Sequence, residues 1–361
     1  MRSFPLTIDR MVGRVVLGAV CAVWALLLGF DAFIALVQEV DDLGRGSYTL
    51  GTAVTYVALT LPRRSYDLFG IAAVIGALLG LGALASTAEI TAMRAGGMSK
   101  ARICLAVVGS IALLTAGVVV VGETLGPAGE RRAQSVAAGA KSENRIASGG
   151  GGVWAREGDV LINALSGRGE GDKLELEKVR IYEFTRTGQL KRISTAASAT
   201  HDGKQWELRN VVRMNFLDES VASQTLPRMR WASTLDPKLL NLGLVRERYL
   251  PVADLLSGIE YQQRNQLHTQ AFSAALWARL FFPLNVLMLV IAAVPFAFGA
   301  LRTGGFGKRL LLGLLLVTGF FFGQRALVNV ADVYAIDVRL AHALPSIIVG
   351  LLATWWFRRS V

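Results

Sequence analysis

Two long apolar blocks bracket a polar middle, and this segregation limits what the chain can fold into more than any single motif does. Residues 1–127 and 270–361 are dominated by Leu, Val, Ala, Ile and Phe, whereas residues 130–265 are polar and charged. A helix needs about 20 apolar residues to cross roughly 30 Å of hydrocarbon. Runs at 12–37, 103–121, 276–298, 310–330 and 344–357, the last extending upstream towards 338, approach or meet that length. A further apolar stretch, 50–85, carries Pro62 followed by Arg63, Arg64 and Asp67. Proline lacks the N–H that a helix interior needs, so this element is expected to break near Pro62, with its first half at the outer interface. The expected fold class is a membrane α-helical bundle of six transmembrane helices with an inserted all-β domain. Residues 1–129 hold spans one to three, 130–265 the insert, and 266–361 spans four to six.

Hydrophobic residues make up 53% of the chain and the formal net charge is +11. A basic balance fits nucleic acid or a membrane surface. Here the positive charge flanks the apolar blocks, and no zinc spacing, aromatic RNA-binding box or basic helix pattern occurs, so nucleic acid is excluded as a partner. Lys and Arg are retained on the cytoplasmic side of spans. With the N-terminus inside, the inner ends carry Arg2, Arg10 and Arg14, then Arg94, Lys100 and Arg102, then Arg302, Lys308 and Arg309, and finally Arg358 and Arg359. The outer loops hold Glu39, Asp41, Asp42, Asp332 and Asp337 alongside a few arginines. The expectation is both termini in the cytoplasm and the insert outside. No small-residue cleavage pattern follows the first apolar run, so it is read as an uncleaved span.

The insert reads as β. Alternation is clear in Lys178-Val179-Arg180-Ile181-Tyr182-Glu183-Phe184. Candidate strands are 153–165, 174–184, 190–197, 205–216 and 229–233, with turns at Gly169-Glu170-Gly171-Asp172, Thr187-Gly188 and His201-Asp202-Gly203-Lys204. Several short strands at such spacing suggest a sandwich or jelly roll. Residues 250–270 look helical, and Gly149 to Gly152 form a flexible lead into the β domain. Both cysteines, Cys21 and Cys104, lie in apolar segments, so the insert is not disulfide-stapled. There is no short-period internal repeat.

No catalytic constellation is visible. His201, His268 and His342 are scattered without metal-ligand spacing, and no Walker phosphate loop occurs. Intramembrane charge is more informative, because ionisable groups there face protein or a polar cavity. Asp31 is read as a structural partner. Arg279 fits either an anion-accepting outer cavity or an internal ion pair, and Arg325, lying deeper, is read as functional. Small residues of the second span, Gly70, Gly76, Gly80 and Gly82 among them, favour close packing inside the bundle.

Between spans two and three, residues 86–97 read as a short cytoplasmic helix. Ser86 would cap it with Glu89 completing a capping box, and Gly96-Gly97 would stop it. Ile90 and Met93 share a face beside the acid, which makes an exposed docking surface or an ordinary interfacial helix.

Read in order, these residues resemble the LptF/LptG permease family of the lipopolysaccharide exporter. The resemblance covers essentially the whole chain. It rests on Gly44-Arg45-Gly46-Ser47-Tyr48, on Gly76-Ala77-Leu78-Leu79-Gly80-Leu81-Gly82, and on Ala88-Glu89-Ile90-Thr91-Ala92-Met93 with Gly97. Gly122-Glu123 and Pro127 with Gly129-Glu130, Val153-Trp154-Ala155, and Leu276-Trp277-Ala278-Arg279-Leu280-Phe281-Phe282-Pro283-Leu284 complete it. The Gly-Ser-Tyr and Trp-x-Arg stretches look more like the LptG branch.

The resemblance implies an LptB-like ATPase dimer that binds ATP and Mg, so that no cofactor belongs to this chain and it is not an enzyme. It also implies an LptF-like permease in a heterodimer, an LptC-like single-span protein whose helix inserts beside the first span, an LptA-like periplasmic bridge, and lipopolysaccharide as substrate. It makes residues 86–97 the coupling helix, with Glu89, Ile90, Met93, Arg94 and Gly97 meeting the ATPase, and makes the insert, residues 130–265, a periplasmic β-jelly roll. Family members carry lysines near the outer end of the first span that meet lipid phosphates. Counted back from Gly46-Ser47-Tyr48, the corresponding positions are Ala35, Asp41 and Asp42. Head-group binding is then expected at Arg63, Arg64, Arg131, Arg132, Arg279 or Arg325, unless divalent cations bridge or the lipid is differently charged. Two other readings stand beside this one. An envelope-biogenesis membrane enzyme would need a reactive cluster at the outer face, and a membrane-anchored sensor would need a cytoplasmic output domain.

Overall fold

The structure is a computed structural model that describes residues 6–141, 153–170, 173–185, 187–202, 205–216, 220–231, 246–298, 306–334 and 336–359. Outside them lie Gly149 to Gly152, Gly171-Asp172, Gly203-Lys204, Arg302 and the end of the fifth candidate strand. The chain divides into two compact units. Unit one comprises Met1–Asp41, Ala53–Ala133 and Ser273–Val361; unit two comprises Asp42–Thr52 and Gln134–Phe272.

Helices build the first unit. They are α1 (Leu6–Val40), α2 (Leu50–Ser86), α3 (Glu89–Ala95), α4 (Lys100–Glu123) and, as far as Ala133, α5 (Leu125–Lys141). After the insert come α7 (Gln270–Phe298), α8 (Phe306–Val333) and α9 (Val338–Arg359). Among the described residues, six helices are long and apolar enough to cross a membrane.

The second of these, α2, is the axis. Ala72, Ala73, Val74 and Ile75 are all buried, and four successive helical positions point to every side. Its glycines set the spacing. A Cβ placed on Gly76 would lie 2.4 Å from Val20 Cα, and one on Gly80 would lie 2.9 Å from Val16 Cα. Gly76 and Gly80 are therefore the seam with α1, while Gly70 faces Phe321 and Val286; close backbone approach replaces the hydrophobic drive that lipid cannot supply.

The expected break at Pro62 does not occur, because α2 runs through it. Hydroxyls around the proline supply donors to nearby carbonyls: Thr60 Oγ1 donates to Val57 O at 2.9 Å and Ser65 Oγ to Pro62 O at 2.7 Å. Such local donors are how helices in lipid tolerate proline. The capping box at Ser86 is also absent. Ser86 ends α2, its hydroxyl donating to Ala83 O at 2.7 Å, and α3 begins behind a left-handed Ala88 with φ 61°. Gly96-Gly97 does stop α3, with Gly97 at φ +90° and Met98 N bonded to Met93 O at 3.0 Å. A side-chain cap belongs instead to Ser99, which accepts from Arg102 N at the start of α4.

Among the described residues, six antiparallel strands in sequential order make the sheet of unit two: β1 (Val153–Glu157), β2 (Val160–Glu170), β3 (Lys173–Phe184), β4 (Leu190–Asp202), β5 (Trp206–Phe216) and β6 (Val221–Trp231). The stretch 153–165 is thus the beginning of a hairpin. Gly158, at φ +58°, turns the chain where apolar pattern alone shows no stop. A crease crosses the sheet. The pairing steps over Lys178, Ala197, Asn210 and Pro227 in one row, with Lys178 and Asn210 at positive φ. On either side of that row Leu176 and Val179, Ala199 and Ala196, and Leu208 and Val211 all turn into one core with Ile162, Ile181 and Trp206. One sheet, bent in register, thereby encloses the apolar interior that a jelly-roll-like domain requires.

Helix α6 (Val252–Arg264) braces the edge strand β1. Tyr261 Oη donates to Arg156 O at 3.1 Å and accepts from Arg156 N at 3.3 Å. Burial pushes this phenol above its ordinary 10.0. The loop Gly44-Arg45-Gly46-Ser47-Tyr48 belongs to the same unit, with both glycines at positive φ, Tyr48 buried, and Ser47 N bonded to Ala140 O at 2.9 Å.

Two outcomes follow from this packing. Gly76→Val destabilises the bundle by about 1–3 kcal/mol, as overpacking does, whereas Gly29→Val, which has nothing within 4 Å, leaves the detergent melting temperature unchanged. Tyr261→Phe weakens the β domain by about 1 kcal/mol. The raised phenol pKa contributes stability that is complete below 10.0 and is lost above it, because only the unfolded chain ionises there. Alkaline unfolding followed by circular dichroism is therefore shallower in the phenylalanine variant.

Candidate functional site

A layer of arginines crosses unit one at the end of the bundle from which the insert departs. Arg63 and Arg64 on α2 and Arg279 on α7 each meet an acid from another helix. Arg63 Nε donates to Glu130 Oε2 at 2.8 Å and Nη1 to Asp67 Oδ2 at 2.9 Å. Arg64 Nη1 donates to Asp31 Oδ2 at 2.7 Å and Nε to Thr60 Oγ1 at 2.9 Å. On α7, Arg279 Nη1 donates to Glu123 Oε1 at 2.6 Å and to Gly122 O at 3.2 Å. Its guanidinium lies 5.7 Å from the centre of the Tyr66 ring, which stacks on Phe282 at 4.1 Å. Only 9% of the Arg279 side chain is exposed, and its guanidinium forms an internal ion pair.

Glycines make these pairs possible. A Cβ on Gly122 would lie 2.2 Å from the Tyr66 ring, and one on Gly129 would lie 2.2 Å from Leu59 O. Each glycine precedes its acid, so close approach to α2 delivers Glu123 and Glu130 to their arginines. The repeated Gly-Glu dipeptide was the signal in the sequence, although the acids were not assigned as partners there.

Three candidates keep an outward course. Arg131 and Arg132 on α5 are exposed. Arg325 on α8 is exposed and has no ion-pair partner among the described residues. Beside it, Gln324 Nε2 lies 3.4 Å from His342 Nδ1, and the buried His342 ring stacks on Phe281 at 6.5 Å. Buried Asn285 and Ser346 bond each other between α7 and α9. These polar side chains tie α7, α8 and α9 together, and no motif announced them. Of the positions that replace the family lysines, Ala35 is buried, Asp41 is exposed just past α1, and Asp42 pairs with Arg45.

At the opposite end of the bundle stands α3. Ile90 and Met93 are buried in the bundle core rather than offered outward, which corrects the expectation of an exposed apolar face. Thr91, Ala92, Arg94, Ala95 and Gly97 are exposed, and Glu89 is half-buried, accepting from Thr87 Oγ1 at 2.8 Å. Nearby, Arg102 Nη2 donates to Asp9 Oδ2 at 3.1 Å between α4 and α1. Among the described residues no group of three or more His, Cys, Asp or Glu could hold a metal ion.

A family model described as lipopolysaccharide export system permease LptF/LptG matches residues 10–359. The chain is 29% identical to the lipopolysaccharide export system permease protein LptG of Haemophilus influenzae, covering 97% of each chain. It is 27% identical to the protein of that name from Escherichia coli K12, covering 98% of each.

Arg279→Gln destabilises the bundle by about 2 kcal/mol, since it removes the charge-assisted hydrogen bond that a largely buried guanidinium gives to half-buried Glu123. Pairing it with Glu123→Gln restores most of that loss, whereas Arg325→Gln changes little. Thermal unfolding of the four purified proteins measures all three.

Proposed function

The chain belongs to the lipopolysaccharide export permease LptF/LptG family, and we propose from that premise how this LptG-like permease subunit works in an ABC transporter. It is a multi-pass inner-membrane protein. The transporter lifts lipopolysaccharide from the outer leaflet of the inner membrane and passes it to a periplasmic bridge. Both termini and α3 lie in the cytoplasm and the β domain in the periplasm. Basic clusters at Arg10 and Arg14, Arg94 and Arg102, and Lys308 support that orientation.

One observation carries the mechanism: α3 is anchored by Ile90 and Met93 in the bundle while Arg94, Gly97 and part of Glu89 face outward. A partner that grips this outward face moves α2 and α4 with it, because the buried face cannot slide through a packed core. The partner is an LptB-like ATPase dimer, which binds ATP and Mg and performs the hydrolysis. An LptF-like permease completes the lipid cavity. An LptC-like single-span protein and an LptA-like bridge receive the lipid.

Lipid contact falls to Arg131, Arg132 and Arg325. The support is that all three are exposed, whereas Arg63, Arg64 and Arg279 are mostly buried against acids and serve as scaffold. A phosphate has no energetic reason to displace a paired carboxylate from a buried arginine. Tagging the protein, solubilising native membranes gently and identifying what co-purifies tests the assembly. An ATPase arriving with a second six-span protein supports it, and isolation alone in several detergents overturns it.

Glu89→Arg leaves insertion intact but uncouples ATP hydrolysis from transport in the reconstituted complex. Arg325→Glu lowers lipid photocrosslinking more than Lys308→Glu does; equal crosslinking in the two would remove Arg325 from the lipid path.

A further inference from the structure

The outward face of the sheet differs sharply on the two sides of its crease. On one side it carries Glu175, Glu177, Glu207, Arg209, Arg228 and Arg230, and Glu207 has both Arg209 and Arg228 within ion-pair range, at 3.9 and 3.7 Å. On the other side the register places Leu161, Tyr182, Ile193 and Met214 in a single row across four strands. Trp154 stacks on Tyr182 with ring centroids 6.2 Å apart and is 54% exposed. Phe216 and Val221 face each other next to Met214 and are exposed too. Strands with one solvated face alternate apolar and polar residues. Here the outward face carries an apolar row although the inward face of the same half already holds Ile162, Ile181 and Val211.

The charges beside this row are basic. Arg180 lies in the adjacent outward row and Lys191 near the end of β4; both are exposed, and neither has an ion-pair partner among the described residues. Asp159 is the exposed acid of the neighbouring β1–β2 turn. Tryptophan and tyrosine beside aliphatic side chains, with unpaired arginine and lysine, match the chemistry of a bilayer interface bearing anionic head groups.

We propose that this half of the outward sheet face is a lipid-docking surface that seats on an anionic bilayer through Trp154, Tyr182 and Met214, with Arg180 and Lys191 on lipid phosphates. The surface is separate from the arginines assigned to lipopolysaccharide, and it does not depend on the transport reading. Its role is to hold the β domain against a membrane by a contact that exchanges lipids freely.

The test uses the full chain, with Cys21→Ser and Cys104→Ser, in nanodiscs of phosphatidylcholine with or without phosphatidylglycerol. Nitroxide labels are placed at Met214→Cys, at the exposed edge position Ser223→Cys, and at Glu175→Cys beyond the crease. Collision with oxygen is compared with collision with a water-soluble nickel chelate. In anionic discs the labels at 214 and 223 favour oxygen while the label at 175 favours nickel. Reversing charge with Arg180→Glu and Lys191→Glu shifts the seated fraction of the first two by about an order of magnitude. Labels at 214 and 223 as open to nickel as that at 175 would overturn the proposal. So would labels shielded from both reagents, which would mean that protein covers the row.

Discussion

Gly76 lies so near α1 that a single added carbon would come within 2.4 Å of Val20 Cα. Inside a bilayer nothing drives apolar surfaces together, because lipid tails are as apolar as leucine. Helices must gain from dispersion at short range, and that needs small residues where backbones meet. Gly76 and Gly80 bring α1 onto α2, Gly13 brings α1 towards Ser110 of α4, and Gly313 lets α8 approach Leu78. With α2 enclosed in this way, the positions of the helices around it follow from its own.

Close approach fixes distance but leaves helices free to slide along their axes. The arginine layer removes that freedom. Arg63, Arg64 and Arg279 reach acids on α5, α1 and α4, and so fasten several helices at one depth. Each pair is worth little as net stability, since desolvation offsets attraction. Its value is specificity: a register shift of one turn would strand several charges in hydrocarbon at once.

Much of this was legible beforehand. The apolar blocks announced the spans, and alternation announced the strands. What sequence could not weigh was competition between partners. Pro62 looked like a break until Thr60 and Ser65 were seen to donate to the carbonyls near it. Ser86 looked like a cap because it stands three residues before Glu89, yet its hydroxyl bonds back into α2. Arg63 and Arg64 looked available for phosphate because their acids, Glu130 and Asp31, are remote in the chain. The face of α3 was misjudged for a similar reason: periodicity shows that Ile90 and Met93 share a side but not whether the bundle has already claimed it. Short-range patterns decide elements, whereas long-range pairing decides which polar groups are left for function.

The crease across the sheet has a consequence for how such a domain can change. Lys178, Ala197, Asn210 and Pro227 share one row, and each strand departs from simple alternation at the same level. Flattening one strand alone would send its half of the side chains to the wrong face while its neighbours stayed bent. The bend is therefore a collective property. It resists drift at any single position and can move along the strands only if every strand moves together, so loops at the sheet's ends can vary while the interior keeps its shape.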